Sequence, residues 1–135
     1  MVEEPWLIAI SGGARLALSV KETIAVIDGP PLRPLPGGRS WCAGWVTFQD
    51  HFVPVLGGDA YGHLGKPAVL LVVELQGTLL GLPCQDVTLL RGALCDNIGV
   101  ANEAGLPVAG AVEVRETGAA LRPDLQKLYS VLGIQ

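Results

Sequence analysis

The sequence predicts an all-β fold of small closed barrels with one short helix at the C-terminal end. Eighteen glycines and ten prolines break the chain into short apolar stretches about ten residues apart, the spacing of sandwiches and barrels. Those stretches are β-branched, and some alternate with period two. Leucines at helical spacing occur only near the end. The count is roughly nine or ten strands, and closing them into barrels hides edges that would otherwise pair with other chains.

Taken in order, Trp6–Ile10 reads as the first strand. Ser11-Gly12-Gly13 supplies a glycine-tolerant turn into Arg15–Val20, where Leu16, Leu18 and Val20 alternate with smaller or polar residues. Thr23–Ile27 is short and β-branched, and Asp28-Gly29-Pro30-Pro31 ends it. After the proline-rich segment, with Pro34–Gly38 as a turn, Trp41–Phe48 and Phe52–Leu56 form a hairpin, and Trp41 and Trp45 are expected in the core. The polar Gln49-Asp50-His51 is the turn. Pro54 cannot donate to a ladder, so it is expected to face outward at an edge or to sit at a bulge.

Gly57–Lys66 reads as a surface loop carrying His63. Ala68–Leu75 is almost continuously apolar, as in a strand covered on both faces. Gln76-Gly77 turns it into Thr78–Leu82, Val87–Leu90 is a further strand, Cys95–Pro107 a loop, and Val108–Val114 a strand around Gly110. Asp124 then caps a helix of about two turns, with Leu125, Leu128 and Leu132 on one face and Gly133 as its stop.

Composition narrows the function. A chain of 135 residues, 50% hydrophobic and 16% charged, with mean hydropathy +0.44, is one domain with a real core. A net charge of −4 and pI near 5.0 offer nucleic acid phosphates no attraction as a whole. The longest apolar run, Ala68–Val73, is far shorter than the roughly 20 residues that span a bilayer, so membrane insertion is not expected. The acidic start, with Glu3 and Glu4, lacks the basic region of a secretory signal and predicts a cytoplasmic location.

Cys42, Cys84 and Cys95 are odd in number without C-x-x-C spacing, which fits small buried hydrophobes better than disulfides or zinc. A catalytic Cys42 would need His51 within hydrogen-bond reach, whereas its tryptophan neighbours suggest burial, which raises a thiol pKa. The carboxylates are scattered, and the glycine pairs match no phosphate loop. What remains is a binding module that presents loops and strand edges.

The stretch from Ala17 to Leu56 resembles the signature region of the CheW-like coupling proteins of bacterial chemosensory systems. The matching positions are Ala17-Leu18, Val26, Pro34-Leu35-Pro36-Gly37, Trp41, Gly44, Val46, Phe48 and Val53-Pro54-Val55. Leu70–Val87 is similar to the family's V-V-V-E-x-D-G-x-x-x-G-L-x-V-D-x-V, and Val108–Tyr129 to its closing strand pair and helix start. The blocks follow the family order along most of the chain.

The resemblance implies a single domain over residues 1–135, made of two interleaved SH3-like five-stranded β-barrels that share a hydrophobic core, with a short C-terminal helix. It also implies a non-enzymatic adaptor without cofactor or metal, bridging a CheA-like histidine kinase and the cytoplasmic tip of a methyl-accepting chemoreceptor. The divergence suggests a pilus-driven twitching system instead of a flagellar one. Carried over residue by residue, the kinase-facing strand includes Thr23 and Ala25, and the receptor-facing turn Gln49, Asp50 and His51.

The departures fall on partner-facing polar positions. The family's N-L-R-G turn is here Thr47-Phe48-Gln49-Asp50, and Gln49 cannot make the bidentate charged pair of an arginine. Its V-x-E falls on Thr23-Ile24-Ala25, its P-V-V-D-L on Pro54-Val55-Leu56-Gly57-Gly58, and its V-D-x-V on Cys84-Gln85-Asp86-Val87. These losses raise an alternative: a scaffold or docking module of the same fold that binds another partner or itself.

Overall fold

The computed structural model describes residues 3–34, 39–95, 106–115 and 118–134. Among the described residues, ten strands and two short helices run in the order β1 (Glu3–Ser11), β2 (Ala14–Ser19), β3 (Thr23–Asp28), β4 (Cys42–Phe48), β5 (His51–Leu56), α1 (Gly58–Tyr61), β6 (Val69–Leu75), β7 (Thr78–Cys84), β8 (Asp86–Cys95), β9 (Val108–Val114), β10 (Gly118–Pro123) and α2 (Leu125–Leu132). Five strands close a barrel in the order β1-β2-β10-β9-β8, and the other five form a sheet in the order β3-β6-β7-β5-β4. The chain therefore starts the first barrel, builds the whole second sheet, and returns to finish the first.

Tight hairpins set these registers. Gly12 and Gly13 both take positive φ between Ser11 and Ala14, as do Gln76 and Gly77 between Leu75 and Thr78. Positive φ at both central residues marks the two-residue type I′ turn, whose twist matches that of the flanking strands.

Three apolar clusters show how the period of two is used. Trp6, Ile8, Ala17, Val112, Val114 and Ala120 fill the first barrel, and Val46, Val53, Val55, Leu70 and Val72 fill the second unit. A third cluster joins Ala9, Leu16 and Leu18 to Leu71, Val73, Leu80 and Leu82 and to α2 through Leu125, Leu128, Tyr129 and Leu132. Alternate residues of β6 thus enter different cores, Leu70 and Val72 one and Leu71 and Val73 the other. Its unbroken apolar run is the signature of a strand buried on both faces. The fold class is as expected: two five-stranded units, a shared core and one C-terminal helix.

That helix follows its sequence signals. The Asp124 carboxylate accepts the Lys127 N–H at 3.0 Å, and Gly133 closes the helix in the left-handed conformation.

Several boundaries differ from expectation. Gly57–Lys66 is not all loop: α1 and a 3-10 turn at Gly62–Leu64 cross it, because Leu64 is buried in the shared core. The strand expected at Val87–Leu90 runs from Asp86 to Cys95, past Gly92, where a Cβ would stand 2.7 Å from Val112 Cγ1. Only that close approach needs glycine; the strand continues through it. The expected loop at Cys95–Pro107 lies largely outside the described residues, as does most of the Pro34–Gly38 turn. β10 has no clean alternation and is visible in sequence only through the family likeness. Pro54 faces outward, but on an inner strand; β5 pairs with β7 at Val55↔Gly81, beyond Pro54.

Candidate functional site

One end of the second unit gathers most of the residues expected to meet partners. Gln49 and Asp50 take φ of 48° and 62° and form a two-residue turn between Phe48 and His51, so His51 opens β5 and is not part of the turn. Non-glycine residues rarely adopt the left-handed region, Asp being better suited to it than Gln. Beside this tip stands the Gln76-Gly77 turn of β6–β7. Between the two tips opens a cleft of about 310 Å³, with Phe48, Gln49 and His51 on one side, Glu74, Gly77 and Leu79 on another, and Ile24 of β3 completing it.

The cleft offers a neutral amide, an imidazole and one carboxylate beside Ile24, Phe48 and Leu79. Among these lining residues there is no nucleophile paired with a base. Tyr129 braces it from behind, its hydroxyl lying 2.9 Å from the Thr78 carbonyl oxygen and 3.3 Å from that of Val73. Burial first, and the Glu74 charge second, push the Tyr129 hydroxyl well above its usual pKa.

Thr23 and Ala25 lie on β3, with Ile24 between them in the cleft wall, so the strand and the turn expected to meet different partners converge at one end of the sheet. Their side chains are half-buried. Thr23 Oγ1 donates to the Ser19 carbonyl at 3.2 Å, and Ala25 packs on the second core. The outward face of β3 belongs to Ile24 and Val26, 40% and 47% exposed.

Trp45 is the main correction to the expected core. It stacks outside the barrel on Phe52, with ring centroids 5.2 Å apart, and the Arg33 guanidinium lies 5.6 Å from its ring centre. Register explains this: Gly44 and Val46 point inward, so Trp45, opposite Pro54, must point out. Counting parity from Val46 would have found it. Trp41 stands just before β4 and is half-buried against the shared core.

The cysteine–histidine alternative fails on geometry. Cys42 pairs with Leu56 at one end of the β4–β5 hairpin and His51 with Phe48 at the other, a separation of about 20 Å along the strands. Cys42 Sγ is instead 3.1 Å from the Gly44 carbonyl oxygen. Burial pushes the Cys84 thiol up to about 12, the reverse of an activated nucleophile. Among the described residues no His, Cys, Asp and Glu cluster could hold a metal, and no helix is long and apolar enough to cross a membrane.

Comparison with solved structures gives a full-length match, at TM-score 0.78, to the crystal structure of the scaffolding protein TtCheW from Thermoanaerobacter tengcongensis, covering 98% of this chain and 96% of that one. The chain has the CheW fold. Sequence identity is 15%, and no family model and no curated protein matches the sequence.

Proposed function

We propose that this protein is a non-enzymatic chemosensory adaptor that couples a CheA-like histidine kinase to the cytoplasmic tip of a chemoreceptor. The observation that carries the reading is the CheW fold over 98% of the chain, together with a cleft that unites β3 and the β4–β5 turn without reactive chemistry. Ile24, Gln49, Asp50 and His51 supply side-chain contacts in this reading, while Thr23 and Ala25 contribute the backbone of β3. A pilus-driven motility pathway suits the divergent turn.

Gln49 and Asp50 favour a second reading. An adaptor turn without its arginine cannot grip an acidic helix bidentately, which suits a module of the same fold that docks on a different partner or on itself.

Co-purification with the CheA-like kinase of the same cell decides between them. Capture at micromolar concentration supports coupling, and its absence with every such kinase of that cell supports the second reading. A Gln49→Arg variant that gains receptor binding would show that this turn position still governs receptor affinity.

A further inference from the structure

β3 ends its sheet. Among the described residues it pairs with β6 alone, leaving the other side of Thr23–Asp28 as an open ladder edge. The register shifts once, between Thr23 and Ala25, but the six residues hold neither proline nor lysine and expose Ile24 and Val26, so the edge from Ala25 to Asp28 lacks the charged and proline devices that usually blunt one. Acidic residues stand at its ends: Asp28 is exposed at one, while at the other Glu22 and Glu74 are neighbours across the ladder, the Glu74 backbone N–H donating to the Glu22 carbonyl oxygen at 3.0 Å. Lys21, in the preceding turn, offsets only part of this charge.

We propose that the β3 edge accepts an extended partner segment as an added antiparallel strand, with the alternation basic–x–apolar–x–apolar–x–basic. This deepens the adaptor reading, and rests on it in taking β3 as partner-facing. The open N–H and C=O groups supply affinity for any extended backbone, and side chains opposite Ile24 and Val26 supply the apolar match. Basic residues at the two ends would meet Asp28 and the Glu22–Glu74 pair. A second copy of this chain is a poorer occupant: in the two-fold register that sets Ile24 opposite Val26, Asp28 falls opposite Glu22, and like charges directly opposite are destabilising.

The test needs no kinase, so it can fail independently of the adaptor reading, which the co-purification decides. Amide hydrogen exchange of the full chain is followed on residues 23–28 with the heptapeptide Lys-Thr-Val-Thr-Val-Thr-Lys and with its Glu-terminated counterpart. The expected result is slowed exchange on β3 with the lysine peptide and about tenfold weaker binding of the glutamate peptide. Val26→Lys, a solvent-facing change that leaves the cores intact, should abolish the protection, and Asp28→Lys should weaken it. No protection on β3, equal binding of both peptides, or protection that rises with protein concentration without peptide would each overturn the proposal.

Discussion

The hydroxyl of Tyr129, on the last helix, donates to the carbonyl oxygen of Thr78 at 2.9 Å, at the start of β7. A residue near the end of the chain thereby locks the hairpin that forms one wall of the cleft. Tyr129→Phe removes this bond and takes the hydroxyl donor from the Thr78 carbonyl oxygen. The expected loss is about 1–2 kcal/mol in urea unfolding, with faster exchange at the Gln76-Gly77 turn. A loss no greater than for an exposed-site control such as Gln126→Ala would mean that the hydroxyl is not part of the anchor.

Alkaline pH should unfold the protein through two buried acids. Cys84, with a folded pKa near 12 against an ordinary 9.0, stays protonated in the fold after the unfolded chain has lost its proton. Its stabilising effect is complete below about pH 9 and is lost as pH rises toward 12, at up to about 1.4 kcal/mol per pH unit. Tyr129, raised in the same direction, adds a second loss beginning near pH 10. Urea midpoints should fall from about pH 8 to about pH 11 and fall less steeply in Cys84→Ala.

Two tryptophans should separate in their cost. Trp6 is 3% exposed within the first barrel, and Trp6→Ala should lose about 3–5 kcal/mol. Trp45→Ala removes an outer stack and should lose about 1 kcal/mol. Equal losses by denaturant unfolding would place Trp45 in the core after all.

The β4–β5 turn carries backbone strain at Gln49, whose φ is 48°. Replacing Gln49-Asp50 with Asn-Gly, the preferred pair for a type I′ turn, should stabilise the chain by about 0.5–1 kcal/mol. If the turn is also a contact, the same variant should bind the partner more weakly while melting higher, a combination that a purely structural turn would not give.

How far the sequence reached varies by element. β6 was legible because an unbroken apolar run bounded by turn residues suits a strand buried on both faces, and α2 because its cap, leucine spacing and terminal glycine agree. β8 was cut short because Arg91 and Gly92 look like a break when the tight packing of Gly92 on Val112 cannot be seen. The turn at Gln49-Asp50 was legible as polar residues between two β-branched runs. Its neighbours across the cleft, Glu74 and Gly77, were not, because no local signal says which hairpin tips meet.

By itself the sequence determined the strand-rich class, the main turns and the C-terminal helix, since each rests on interactions within a few residues: alternation, positive-φ turns and capping. Only the tertiary structure decided that Trp45 faces out, that Ala25 faces in, and that β3 and the β4–β5 turn share one cleft. Which face of a strand is buried depends on cross-strand register and on the order of strands in the sheet, and both are set by pairings between residues far apart in the chain.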